Sequence, residues 1–391
     1  MDDRNFDRVI NRKNTHSVKW DETLRFHGEN HLFPMWVADM DFKSPQKVIE
    51  ALVTRAEHGI FGYTSIPQST YDAIVHWLQK RHNWSIKHEW MSVSTGIVPS
   101  IAMAIQAFSK PGDKVILQSP VYYPFFDMIE KNNRVIVNNS LIFKDGAYTI
   151  DFDKLEKMID SNVKLLLLCN PHNPGGRVWT KEELTKLGNI CMKHNILVIS
   201  DEIHSDLIFS GHTHIPFASI CDKFAQHSIT CIAPSKTFNL AGLQTAALII
   251  PNRSIRNTYN DYQHSQGFFT LNTFGIVAME AAYLHGEKWL DHLLSYVEEN
   301  VDLVIAYFNK HIPKLNVMKP QGTYLVWVDC RDLKITDAEI KRLLLEKGKL
   351  ALEYGPTFGP GGEGFIRINV ACPKETLHEG LQRLEKAFQA F

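Results

Sequence analysis

Between residues 91 and 250 the chain alternates short apolar runs with helical segments. Strand-type runs fall at 91–94, 114–118, 135–138, 164–169, 196–200, 229–233 and 245–250. Helical segments at 99–108, 123–131, 152–159 and 181–194 separate most of them. The runs at 165–168 and 197–199 are continuously apolar, the pattern of strands covered by helices on both faces. This predicts an α/β domain built on a mainly parallel sheet. Upstream, residues 1–43 read as irregular. Ser44-Pro45 then starts a helix to about residue 59, and a second helix covers 67–81. After residue 271 the pattern changes. Long helices at 273–285 and 289–310 lead to a hairpin-like stretch at 317–328, a helix at 336–347, strands near 350–353 and 365–370, and a helix from Lys374. The expected organisation is a large domain over 44–285 and a smaller α+β domain formed by 286–391 with the arm 1–43.

The composition is that of a globular enzyme, 44% hydrophobic and 22% charged, and a net charge of −1 gives no argument for a nucleic-acid or anionic-membrane partner. The first residues are charged, without the apolar stretch of a signal peptide, and no run approaches the roughly 20 apolar residues of a membrane span. A cytoplasmic protein is the expectation. The six cysteines form no CxxC pair and are expected as small buried hydrophobes in a reducing compartment. His204, His212 and His214 lack the HExxH spacing, so a metal site is not expected.

Candidate chemistry gathers at the carboxyl ends of the predicted strands, where ligands bind in open α/β sheets. Ser94-Thr95-Gly96-Ile97-Val98 joins a strand to a helix N-terminus; it is either a tight turn or an anion site. Tyr122, in Ser119-Pro120-Val121-Tyr122-Tyr123-Pro124, is a core residue or a stacking surface for a planar ligand. Asn170-Pro171-His172-Asn173-Pro174-Gly175-Gly176 fixes a rigid loop in which Asn173 can donate a hydrogen bond or simply shape the turn. Asp201 follows an apolar strand; it caps the next turn or answers a buried cation. Lys236, in Ser235-Lys236-Thr237, lies close to the sheet's core, where an unpaired ammonium is costly and reactive lysines are found. Arg367 sits inside an apolar strand, either facing solvent or offering its planar fork to a carboxylate. An imine-forming lysine and an aspartate able to hold a pyridinium are the two groups that pyridoxal phosphate chemistry requires.

In this order the pieces resemble the fold-type I pyridoxal-phosphate enzymes, the aspartate aminotransferase superfamily, over nearly the whole chain. Ser17-Val18-Lys19-Trp20-Asp21, Met35-Trp36-Val37-Ala38-Asp39-Met40-Asp41-Phe42, Gly59-Ile60-Phe61-Gly62-Tyr63-Thr64, Asp201-Glu202-Ile203-His204-Ser205-Asp206-Leu207 and Ala233-Pro234-Ser235-Lys236-Thr237-Phe238-Asn239 resemble, more narrowly, the MalY/PatB-type C–S lyases. The resemblance implies roles. Lys236 forms the Schiff base and shuttles the Cα proton; Asp201 pairs with the pyridine nitrogen; Asn173 and His204 contact the ring hydroxyl; Tyr122 stacks on the ring. Gly96, Ile97, Val98 and Ser235 hold the phosphate, reached by Tyr63 across a homodimer interface. Arg367 clamps the substrate carboxylate, with Trp36 and Asp39 beside it. Gln244 stands where the wider superfamily has a phosphate-binding arginine, and neutral donors must replace that charge. The loop 359–364 reads as a flexible approach to the site.

The implied activity is β-elimination from L-cystathionine, L-cysteine or cysteine S-conjugates, giving a thiol, pyruvate and ammonia, in methionine biosynthesis. An aminotransferase shares the early chemistry and is the alternative. A binding module that has lost catalysis predicts a missing lysine or a fused DNA-binding segment; Lys236 is present, and residues 1–43 are too short for a helix-turn-helix domain.

Overall fold

The computed structural model describes residues 5–389 and 391. Seven strands form one sheet, in the spatial order Met91–Ser94, Ala246–Ile249, Ser228–Ile232, Leu197–Asp201, Val163–Cys169, Lys114–Leu117, Val135–Asn138. Ala246–Ile249 runs antiparallel to both neighbours, and the other pairs are parallel. The continuously apolar strands are explained by two-sided burial. Leu165, Leu167 and Ile199 pack with Ile101 and Ile105 of the helix Ile97–Phe108. Leu166, Leu168 and Val198 face the other way, against Leu184 and Leu187 of the helix Lys181–Lys193. That helix starts with a full capping box, Thr180 and Glu183 satisfying each other's backbone N–H groups.

The second sheet has the order Asn316–Met318, Leu325–Asp329, Phe365–Asn369, Glu353–Tyr354, all antiparallel. The expected hairpin is its first pair, with Val317 opposite Val328. The region near 350–353 divides into Leu350–Ala351, which pairs with Phe33–Pro34, and Glu353–Tyr354. Gly286 alone separates the helices Thr273–His285 and Glu287–His311, and one apolar cluster runs from Trp77 and Met279 through Trp289 and Leu293 to Leu384.

Several elements depart from the sequence reading. Residues 1–43 contain the short helices Val18–Asp21 and Thr23–His27 and the strand Phe33–Pro34. The hairpin Ile142–Lys144 with Ala147–Thr149 has no counterpart among the predicted strands, nor has the helix Arg253–Ser265 among the predicted helices. That helix is mostly polar and buries only Tyr259 and Gln263, so its apolar stripe is thin. The helix expected over 336–347 is α-helical only from Asp337 to Leu343, then widens into a π turn over Leu344–Gly348. The loop 359–364 is packed rather than loose: the Gly355 and Gly362 backbones touch so closely that a Cβ on either would clash. No residue of that loop lines the cavity described below.

The N-terminal arm is pinned by buried charge. Lys19 donates to Asp41 at 2.7 Å, both almost fully buried, and Arg12 bridges Asp39 and Asp41. Burial pushes the Asp41 carboxyl up, but Lys19, Trp20 and Arg12 outweigh it and hold it below the usual range. Removing one partner of such a network strands the other charge. Lys19→Ala is expected to cost about 2–3 kcal/mol, Arg12 and Trp20 sparing part of the usual penalty. Urea unfolding should show it as a lower midpoint; an unchanged midpoint contradicts the assignment.

Candidate active site

The parallel strands end on one edge of the large sheet, and the loops leaving that edge surround a cavity of about 300 Å³. Residues from both sheets line it: Asn173, Asp201 and Lys236 from the large one, Glu353 and Arg367 from the small one. Register explains the first group. Cys169, Asp201 and Cys231 are neighbours across three adjacent strands, so the segments that follow emerge side by side.

Lys236 lies on the single helical turn Pro234–Thr237, whose proline occupies the start, where its missing N–H costs nothing. The turn is fixed from behind: Thr237 donates to Asp206 at 2.8 Å, and Asp206 also accepts from Trp77 and pairs with His82, each at 2.9 Å. The Lys236 amine donates to the Ala38 carbonyl at 2.6 Å, which accepts the Tyr324 hydroxyl too. Burial pulls the amine down to about 8, against an ordinary value of 10.5.

Asp201 is 3% exposed, and among the described residues its carboxylate accepts only from the Ile203 N–H, at 3.1 Å. Burial raises it to about 7, although Ile203 and Lys236 pull the other way. A carboxylate so poorly satisfied calls for a cation in the cavity. His204, held neutral at about 3 by burial, leaves its Nδ1 without a partner. The Asn173 carbonyl oxygen accepts from Arg367 at 3.0 Å, and its amide nitrogen donates to no described residue. Tyr122 lines the same space, its phenol pushed up by burial.

The helix Ile97–Phe108 points its N-terminus at the cavity with no side-chain cap. Pro99 has no N–H, and Ser100 donates to the Gly96 carbonyl, so Ile97 and Val98 carry the free donors of the first turn. Gly96, at φ +157° and ψ 171°, takes a conformation open almost only to glycine. Ser235 and Gln244 also line the cavity. These are neutral donors plus a helix end, which suits an anion such as a phosphate.

Arg367 is 3% exposed and spends two N–H groups on the protein, on Asn173 and on the Trp36 carbonyl at 3.1 Å. Its Nε has no partner, and Glu353 stands 4.0 Å away. A buried guanidinium with donors to spare fits a carboxylate ligand. Trp36 lines the cavity while its indole N–H donates to the Lys19 carbonyl. Asp39, expected at the substrate, lies outside the lining, its carboxylate taken by both arms of Arg12. Tyr63 is fully exposed and away from this chain's own cavity. Of the three histidines weighed for a metal, His214 is tied to Glu202 at 2.8 Å.

Sequence reasoning missed Glu353, the Ala38 carbonyl, Tyr324 and Asp206. Asp206 was visible five residues after Asp201, but nothing local tied it to Thr237. Together the residues present fit pyridoxal phosphate: an amine for its aldehyde, an anion for its ring nitrogen, a ring-facing aromatic, and donors for its hydroxyl and phosphate.

The model of the aminotransferase class I and II family matches residues 32–384. The chain is 50% identical to cystathionine β-lyase PatB of Bacillus subtilis, over 98% of this chain and 99% of that one. It superposes on cystalysin from Treponema denticola, a structure containing pyridoxal 5'-phosphate, with a TM-score of 0.95 and 40% identity over 98% of each chain. The pyridoxal-phosphate-bound C–S lyase of Staphylococcus hominis gives a TM-score of 0.92 and 35% identity, again over 98% of each. Among the described residues, no helix is long and apolar enough to cross a membrane.

The lowered affinity of Lys236 for its proton sets a pH dependence. The amine is nucleophilic only when neutral, so its reactivity rises through pH about 8 instead of 10.5. Stopped-flow uptake of pyridoxal phosphate by cofactor-free protein should therefore accelerate to about pH 8 and level off soon after. A rate still climbing towards 10.5 contradicts the burial argument.

Proposed function

The chain belongs to the aminotransferase class I and II family, and from that premise we propose that it is a pyridoxal-phosphate-dependent C–S β-lyase of the MalY/PatB type. It cleaves L-cystathionine, with water, to homocysteine, pyruvate and ammonia; L-cysteine and its S-conjugates are further substrates. The observation that carries this reading is the sharing of one cavity by the Lys236 amine, the Asp201 carboxylate and the Arg367 guanidinium.

When bound, the cofactor supplies an electron-accepting ring that lets an amino acid lose its Cα proton. The chain's residues do the rest. Arg367 takes the substrate carboxylate on its free donors and so turns the Cα–H towards the lysine. Lys236 would accept the Cα proton at Nζ; its lowered pKa makes it a usable base near neutrality. Asp201, which lines the cavity, would pair with the ring nitrogen and favour its protonated form. Tyr122 and Trp36, which line the cavity, would cover the bound ring and the carboxylate site and exclude water. The Cβ–S bond then breaks with departure of the thiolate, which takes up a proton.

The homodimer is part of the proposal. Ile60 and Phe61, close to Tyr63 in sequence, are exposed apolar side chains, as is Phe269, whose neighbour Thr270 donates to the Thr64 carbonyl; such a surface suits burial against a second copy. Tyr63 of each chain would then complete the phosphate site of the other. A reducing cytoplasm suits the six free cysteines, five of them buried. Supply of homocysteine places the reaction in methionine biosynthesis.

Two measurements test the reading. Incubation with L-cystathionine should release thiol and pyruvate in equal amounts without any added keto acid. Keto-acid-dependent amino transfer without thiol release would instead mark an aminotransferase. Arg367→Ala should raise KM about 100-fold, the loss expected when a desolvated charge pair is removed, with Arg367→Lys recovering little of it. Equal KM values for the variant and the wild type would remove Arg367 from the site.

A further inference from the structure

Glu353 opens the strand Glu353–Tyr354 and stands directly opposite Arg367 in the antiparallel register. Its side chain is 14% exposed and lines the cavity. No described residue donates a hydrogen bond to its carboxylate. The nearest cation is Arg367 at 4.0 Å, beyond hydrogen-bond reach, and that guanidinium is held in place by Asn173 and the Trp36 carbonyl. Burial without donors raises the carboxyl above its usual range, even against the field of Arg367. A carboxylate kept in a cavity on these terms awaits a donor from a ligand. Its surroundings narrow the ligand. Tyr123, whose phenol feels Glu353, is 42% exposed, and Phe26 is 49% exposed; both line the same cavity. This chain contributes two cationic side chains to the cavity, Lys236 and Arg367, and both are already committed to the reacting half of the substrate.

We propose that Glu353 reads the charge on the leaving-group half of the substrate, accepting hydrogen bonds from an ammonium beyond the sulfur and repelling a carboxylate placed there. The proposal rests on the lyase reading and deepens it. S-(2-Aminoethyl)-L-cysteine carries such an ammonium alone, S-methyl-L-cysteine carries no charge beyond the sulfur, and S-carboxymethyl-L-cysteine carries an anion; L-cystathionine carries an ammonium and a carboxylate together. The apolar and aromatic neighbours accommodate the thioether carbons in all four.

The test compares kcat/KM of the wild-type holoenzyme and Glu353→Gln on the first three thioethers. Ratios to S-methyl-L-cysteine are the readout, because any disturbance of Arg367 or of the cofactor affects all substrates alike and cancels. The ratio for S-(2-aminoethyl)-L-cysteine should fall roughly fivefold to tenfold, and that for S-carboxymethyl-L-cysteine should rise by a similar factor. Glu353→Asp, which retains the charge, should keep both ratios closer to wild type. If either ratio is the same in Glu353→Gln and wild type, Glu353 serves only to orient Arg367 and the proposal is overturned. Failure of the wild type to release thiol from L-cystathionine and from all three overturns the lyase reading, and this inference with it.

Discussion

Desolvation of two opposite charges governs this molecule. The Lys236 amine and the Asp201 carboxyl are both taken out of water, and each moves towards its neutral form, to about 8 and about 7. Neither has an adequate partner among the described residues: the amine rests on one backbone carbonyl, the carboxylate on one backbone N–H. A fold that spends stability in this way holds a site ready for a ligand that is an electrophile at one end and a base at the other. Binding such a molecule relieves both groups at once.

The rest of the architecture keeps that arrangement in place. Parallel strands deliver Asn173, Asp201 and Lys236 to one edge, and the small sheet delivers Arg367 from across the cavity. Beside the apolar cluster that the halves share, the contact at the cavity is polar and specific. Arg367 bonds Asn173, Asn369 donates to the carbonyls of Val37 and Asp39, and the Ala38 carbonyl between them receives Lys236 and Tyr324. The segment 36–41 thus works as a clasp, locked from outside by Arg12 and Lys19. Asp39 belongs to that lock, which is why a residue beside the site does not line it.

Much of this was legible in the sequence because the large domain follows strong rules. Unbroken apolar runs at 165–168 and 197–199 marked two-sided burial, and polar residues just beyond them marked the strand ends. Asp201, Asn173 and Lys236 were found there, though a cap for Asp201 and a turn for Asn173 stayed open until the family resemblance gave them roles. Glu353 escaped because its meaning comes from Arg367, fourteen residues later in sequence (367 less 353) and adjacent only through strand pairing. The Ala38 carbonyl escaped because backbone atoms carry no residue-type signal. The helix Arg253–Ser265 escaped because its apolar face is narrow, though Asn252 caps it well by accepting from two N–H groups.

The most direct test of the central claim is chemical. Borohydride reduction of the holoprotein, followed by proteolysis and mass spectrometry, should find the pyridoxyl group on the peptide containing Lys236 and on no other lysine. Labelling at a different residue, or none, would contradict the account.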